Sequence, residues 1–244
     1  MAKYDPIPDL NVGVPELVSI LIPTYKPLLF IERCIESIFE HTNYANYEVC
    51  IADDASPTTD HIEYLKTLAR TNRVKVVFGN ERLGHGPNTM RAFEQSKGQF
   101  VLLLNDDCHI PFENRSWLDY LVNALKQNPT WASVTPVLLH GLQRRTIYWI
   151  GKKRPENCKK STHDFLHHPW GHESLPTAPV DSCYNNFACC LTWRGLLLDY
   201  PIGTIHKHYG SDSEWCNKIQ NKFGLLHMAL PLLYVYHENA FGAR

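Results

Sequence analysis

Between residues 17 and 104 the chain alternates short apolar runs with amphipathic helical patterns, and every apolar run breaks abruptly into polar residues. Leu17 to Ile22 reads as a buried strand ended by Pro23, and Pro23-Thr24-Tyr25 opens a loop. Tyr47 to Ala52 is a second strand, followed by Asp53-Asp54-Ala55-Ser56. Val74 to Phe78 is a third, running into Asn80-Glu81-Arg82-Leu83-Gly84. Between them, Leu28 to Glu40 places Ile31, Ile35, Ile38 and Phe39 on one helical face. A second helix, capped by Thr58 or Thr59, repeats Ile62, Leu65 and Leu68 at helical spacing, and a third runs from about Pro87 to Ser96. Such β-α-β-α alternation predicts an α/β fold with a mostly parallel central sheet and helices on both faces. Ligands of these sheets bind outside the carboxyl ends of the strands, where the polar clusters lie.

The fourth run sharpens that expectation. Val101 to Leu104 is continuously apolar, as suits a strand buried on both faces, and Asn105-Asp106-Asp107 follows at once. Two adjacent carboxylates at the end of a buried strand repel one another and are costly to desolvate. A hard divalent cation, which takes oxygen ligands, would account for them. A solvated Asn-Asp turn is the plain alternative. The clusters at Thr24 and Asp53, on the same edge, favour a site.

The second half is less regular. Ser116 to Gln127 predicts a helix with Leu118, Leu121, Val122 and Leu125 inward, and Trp131 to Pro136 a strand. Residues 151 to 180, rich in Lys, His and Pro without a period, read as a long loop; such loops serve as lids or substrate-binding segments. Asn186 to Trp193 is read as a strand, Asp212 to Phe223 as a helix and Leu232 to His237 as a last strand. The formal net charge of -1 gives no broad electrostatic case for nucleic acid or an anionic membrane as partner. No apolar run approaches the roughly 20 residues of a membrane span, and the first residues lack the apolar core of a secretion signal. The eight cysteines contain no C-x-x-C pair, so they are read as free thiols in a reducing, cytoplasmic compartment. Gly84-x-Gly86 is too short for a dinucleotide fingerprint and is taken as turn chemistry. His163, His167, His168 and His172, with Pro169 and Trp170 among them, are read as a surface loop or acceptor lid rather than a zinc ligand set.

Six segments taken together, VSILIPTYKP, VCIADDASPTTD, NERLGHGPN, GQFVLLLNDD, GSDSEWCNKIQNKFGL and VYHE, resemble the GT-A glycosyltransferases, most closely the inverting family two. They stand in the family's order, with residues 140 to 180 as the main gap. The resemblance implies one GT-A domain over 1–244, with a nucleotide-binding half (1–112) and an acceptor-binding half (113–244). It implies that Pro23, Thr24 and Tyr25 line the nucleotide pocket and that Asp54, with Asp53 close by, accepts a hydrogen bond from uracil. Arg82 and Asn88 would help hold the nucleotide sugar or diphosphate. Asn105-Asp106-Asp107 stands where the family has D-x-D, with Asn105 in place of the first Asp. Asp107 would then be the metal ligand, and Asp106, beside Asn105, the sugar or ribose contact. Ser211-Asp212 stands where Glu-Asp is usual, making Asp212 the catalytic base and Glu214 a supporting acid. His237 matches a histidine that reaches the metal or diphosphate.

The expected reaction is metal-dependent, inverting transfer from a UDP-sugar to a hydroxyl of a glycan or other glycoconjugate acceptor. Bound Mn2+ or Mg2+ neutralises the leaving diphosphate, and a positioned carboxylate takes the acceptor's proton. Asp212 also suits a helix cap, and His237 an ordinary strand end. The competing readings are a catalytically inactive carbohydrate- or nucleotide-binding relative and a sugar-nucleotide nucleotidyltransferase. The latter would want a Gly-rich basic loop where Pro23-Thr24-Tyr25-Lys26-Pro27 stands.

Overall fold

A computed structural model describes residues 16–141, 145–151, 165–203 and 210–238. The first part alternates strictly: β1 (Val18–Thr24), α1 (Leu28–Glu40), β2 (Tyr47–Asp53), α2 (Thr59–Leu68), β3 (Val74–Phe78), α3 (His85–Glu94) and β4 (Phe100–Leu104). After it come β5 (Cys108–His109), α4 (Trp117–Gln127), β6 (Trp131–His140), β7 (Thr146–Trp149), β8 (Val180–Ser182) and β9 (Cys189–Trp193). Helices α5 (Arg194–Asp199) and α6 (Ser211–Phe223) and the long β10 (Leu226–His237) complete the described chain.

The described strands make one sheet in the order β3-β2-β1-β4-β9-β6-β10-β5, with β7 added to β6 and β8 to β10. From β3 to β4 every pairing is parallel, as the alternation requires. Beyond β4 the sheet is mixed: β9 runs antiparallel to both β4 and β6, while β6 and β10 run parallel. The expected parallel order thus holds in the first half and gives way to mixed pairing in the second.

Alternate residues of each buried strand feed two separate cores. Ile20, Ile22, Val49, Ile51, Leu102 and Leu104 pack on one face under α1, α2 and α4. Leu21, Cys50, Ala52, Val101 and Leu103 pack on the other face under α3, α5 and α6. A third, smaller core joins Val137, Leu139, Ile147, Tyr234 and Tyr236 to Leu175, with Phe165 and Trp170 against it.

Several element ends differ from expectation. β1 runs through Pro23 to Thr24, because Pro23 and Thr24 keep their register with Ala52 and Asp53 of β2. Phe39 lies at the margin of α1 and is 38% exposed, so the buried stripe is Ile31, Cys34, Ile35 and Ile38. β10 begins at Leu226 rather than Leu232, its pairing with β6 interrupted between Leu230 and Tyr234, around Pro231. β6 continues to His140, and β5, β7, β8 and α5 appear where no element was expected. Of the region read as a long loop, residues 152–164 lie outside the described residues, and with them His163 and Cys158. The seven described cysteines form no disulfide with one another.

Candidate active site

The carboxyl ends of β1, β2 and β4 bring the first group of predicted residues together. Thr24, the last residue of β1, is buried and donates its hydroxyl to Asp106 Oδ2 at 2.8 Å, with Tyr25 N 3.4 Å from the same oxygen. Asp106 is therefore tied to the end of β1 from the turn after β4. Asp54 accepts from Leu83 N at 2.8 Å and Gly84 N at 2.9 Å, and Arg91 and Arg82 lie 3.7 and 3.9 Å from its oxygens. This carboxylate shapes the turn entering α3. The exposed Arg82 guanidinium covers the Tyr25 ring at 4.0 Å, a cation–π contact on the rim of the cleft.

Asp53 and Asn88 are turned inward. Asp53 Oδ2 accepts from Ser56 N at 3.0 Å, and its other oxygen lies 3.4 Å from Nε2 of the fully buried His61. Burial opposes the Asp53 charge, but hydrogen bonds from His61 and Ser56 outweigh it and hold the carboxyl below its usual range. Asn88 is buried with its amide on Ala52 O at 2.7 Å. Pro23 is buried in β1 beside Ala52.

The second group comes from the far side of the sheet. β5 pairs His237 with Cys108, and this places His237 Nε2 at 3.1 Å from Asp107 Oδ1. Glu238 N donates to Asp107 O at 2.9 Å, while Arg33 of α1 holds the Glu238 carboxylate at 3.0 Å. Asp107, Cys108 and His237 form the metal-competent cluster found among the described residues. Cys108 is a poor member. Its thiol donates to Ala188 O at 3.0 Å, and burial pushes its pKa well above the usual thiol value, against the thiolate a metal needs. Asn105 joins the two groups: its Oδ1 lies 2.9 Å from His85 Nε2 at the start of α3, and its Nδ2 3.5 Å from His237 Nε2.

Asp212 lies in the first turn of α6, but Gly210, with φ of 86°, occupies the cap position. The capping alternative therefore does not describe Asp212, whose Oδ1 accepts from the next backbone N–H, Ser213, at 2.7 Å. The start of α6 is docked against α3. A methyl group added to Gly86 would meet Gly203 O at 2.7 Å and Ser211 Cβ at 3.8 Å. Gly86 is thus a close-packing position inside α3, beyond the turn role read from the sequence. Glu214 pairs with Lys218 one turn on.

Asp107 and Asp212 act on a common neighbour that sequence reading did not single out. Tyr148 of β7 is half-buried; burial, then the charges of Asp212 and Asp107, raise its hydroxyl pKa, and Asn186 is hydrogen-bonded to it. Its ring centroid lies 5.2 Å from those of both His237 and His140, which are register partners on β10 and β6. His167 stacks on His140 at 5.1 Å, and backbone bonds join Ile147 to His167 and His168. The described histidines of the loop thus pack along β7, and none belongs to a metal-competent cluster among the described residues. His85, Asn186 and Tyr148 were missed for a shared reason: their partners Asn105, Ala188 and His237 are set by the fold and not by any motif around them. The alternation in Thr146-Ile147-Tyr148-Trp149 was the available signal.

Residues 19–178 match the family model described as Glycosyl transferase family 2. The chain belongs to that family. The family 2 chain is 34% identical over 118 residues to "Uncharacterized protein y4gI" of Sinorhizobium fredii, covering 48% of itself and 12% of that protein. It is 30% identical over 108 residues to the hyaluronan synthase of Pasteurella multocida, covering 44% of itself and 11% of the synthase. It thus spans about a tenth of the length of these curated relatives. Among solved structures, GalNAc-T7 with UDP, GalNAc and Mn2+ superposes with a TM-score of 0.71 at 17% identity, over 91% of this chain and 44% of the other. The mannosyltransferase PcManGT from Pyrobaculum calidifontis, in complex with GDP-Man and Mn2+, gives 0.66 at 20% identity, over 98% and 60%. The fold of the family 2 chain is accordingly the GT-A fold of these glycosyltransferases.

Proposed function

We propose that this family 2 chain is a single GT-A domain that transfers a sugar, with inversion, from a nucleotide-diphosphate donor to a hydroxyl of a glycan or glycoconjugate, with a UDP-sugar as donor and Mn2+ or Mg2+ as cofactor. The observation that carries the reading is the approach of Asp107 Oδ1 to His237 Nε2 at 3.1 Å, beside an Asp106 carboxylate held by Thr24 at 2.8 Å. Both structural neighbours hold Mn2+ with a nucleotide diphosphate or nucleotide sugar, which supports the same arrangement here.

The donor set fits such an ion. A carboxylate oxygen and an imidazole nitrogen from separate elements face each other at 3.1 Å. That spacing is close to the edge of an octahedron with metal–ligand bonds of about 2.1 Å. Asp107 and His237 would hold the ion, which when bound supplies Lewis-acid neutralisation of the leaving diphosphate. Asp106, oriented by Thr24 and Tyr25 N, is placed to accept from a ribose or sugar hydroxyl. Tyr25 and Arg82 form the flat, cationic rim against which a base packs, and Asp54 sets the turn that carries Arg82. Asp212 takes the proton of the attacking hydroxyl. Attack opposite the diphosphate needs one base and no covalent intermediate. Asn105 differs from the family's Asp, yet its amide is engaged at both ends by His85 and His237.

A thermal-shift series tests the reading, since a ligand that binds the native state raises the melting temperature. UDP-sugars with Mn2+ are expected to stabilise the protein more than either component alone, and to release UDP on incubation with an acceptor extract. Absence of any metal-dependent shift with UDP- or GDP-sugars would overturn it. A shift without release of free nucleotide would favour the inactive binding relative.

A further inference from the structure

The mechanism above leaves Tyr148 without a role, although it stands where the metal-side and base-side residues meet. Its ring packs against His237 and His140, each 5.2 Å between centroids, and His237 Nε2 lies 3.1 Å from Asp107 Oδ1. The hydroxyl has a defined partner in Asn186. Asn186 Oδ1 accepts from Ala188 N at 2.9 Å, and the Asn186 NH2 group is available to donate to the phenol oxygen. With its oxygen accepting from Asn186, the phenol has its own proton to give away. The same turn supports the metal side: Ala188 O accepts from Asn105 N at 2.9 Å and from the Cys108 thiol at 3.0 Å. Tyr148 and the Asn105–Cys108 turn are therefore held by one short segment.

Resting on the donor-site reading above, we propose that Tyr148 is a diphosphate-binding residue, whose hydroxyl donates a hydrogen bond to the terminal phosphate of a nucleotide diphosphate held at Asp107 and His237. An anion drawn to an ion on Asp107 and His237 would sit within reach of that proton. Its position on β7 explains the geometry: the register of Leu139 with Ile147, and the irregularity before it, turn Tyr148 toward His140 and His237.

The test compares a diphosphate with a monophosphate. Calorimetric titration of UDP and UMP, with GDP and GMP in parallel, is run with Mn2+ on the wild-type chain and on Tyr148→Phe. Loss of one hydrogen bond to a charged group is expected to weaken the diphosphate by about 10-fold or more and leave the monophosphate unchanged. Equal weakening of both would show that Tyr148 acts on folding or on the nucleoside side, and unchanged affinity for both would remove it from the site; either result overturns the proposal. If the wild-type chain binds no nucleotide with Mn2+, the donor-site reading itself fails, and the role of Tyr148 falls with it. Asn186→Asp, which replaces the amide donor with an acceptor, is expected to turn the phenol proton toward residue 186 and reproduce the diphosphate-selective loss with the ring intact.

Discussion

The strands β3, β2, β1 and β4 and the strands β9, β6, β10 and β5 contribute to one cleft by different means. In the first group each strand is a mostly apolar run, and the polar residues around its tip are locked by bonds to backbone atoms. Asp54 holds Leu83 and Gly84, Asp53 holds Ser56, and Asn88 holds Ala52. In the second group the site residues are positioned by ring packing, helix docking and irregular pairing. His237 leans on Tyr148, and the start of α6 abuts α3 at Gly86. One region is a preset cradle whose carboxylates mostly serve the scaffold. The other presents the groups proposed to do chemistry. The carboxylates at the tip of β2 serve the scaffold, whereas Asp106 and Asp107 at the tip of β4 are those proposed for the donor site.

The largest expected effect follows from that contrast. Asp212→Asn is expected to keep nucleotide binding and folding while lowering turnover by roughly 10²–10⁴-fold, the usual contribution of a general base. Turnover with a UDP-sugar, beside the melting temperature, separates the two: a variant of normal turnover would return Asp212 to a purely structural part. The opposite pattern is expected in the cradle. Leu102 is fully buried at the centre of β4, and Leu102→Ala is expected to cost about 2–5 kcal/mol of stability by denaturant unfolding. A cost below about 1 kcal/mol would mean that the parallel half tolerates repacking and is not the rigid partner of the comparison.

What could be read from the amino acids follows the same division. α1 and β3 have the expected bounds, and β1, β2 and β4 differ by a residue or two; the latter three are buried on both faces, which demands nearly unbroken apolar runs. The polar tips were equally legible as a group, since the change from Leu104 to Asn105-Asp106-Asp107 marks the end of an apolar strand, although Asp106 and Asp107 are themselves buried. Their individual partners were not legible. Nothing local to Asp54 says that residues 83 and 84 fold back onto it, and nothing local to Asp107 says that His237 returns beside it; the family resemblance supplied that link. Tyr148 lay beyond both kinds of reading. β7 is 4 residues long and pairs antiparallel along β6, and its importance comes from His140 and His237 meeting in register on neighbouring strands. Only a long-range pairing could reveal it.

A smaller effect is expected where the second half hides polar groups beneath α6. Asn185, Ser133 and His227 are fully buried; Asn185 donates to Ser133 Oγ at 2.9 Å, and Ser133 lies 2.7 Å from His227 Nδ1. His227 Nε2 meets Cys216 O, within α6, at 2.9 Å. Since that carbonyl only accepts, His227 donates from Nε2 and accepts at Nδ1 from Ser133. Asn185→Ala removes the donor that completes the chain and is expected to cost roughly 1–3 kcal/mol in denaturant unfolding. If α6 is held in place through this chain, turnover falls as well. Loss of stability with turnover unchanged would show that Gly86 and the apolar face of α6 suffice to place Asp212.

The smallest effect belongs to the cradle and is read in pH. Asp53 sits at the end of β2 with His61 and Ser56 holding its carboxyl below the ordinary value, so the folded state takes up a proton there less readily than the unfolded chain does. In the interval between the folded pKa and the unfolded value of about 3.9, the unfolded chain binds more protons, and stability rises with pH there. The contribution is complete above the unfolded value and is lost as pH falls through the folded one. Asp53→Asn keeps the shape, removes the titration and is expected to flatten the acid limb of stability below about pH 4.5, leaving the neutral-pH turnover nearly intact. Unfolding midpoints of wild type and variant, measured stepwise from neutral pH into that window, check the sign. Parallel acid limbs would mean that Asp53 keeps an ordinary pKa, and that the turn from Ala55 to Ser56 is held by backbone geometry rather than by charge.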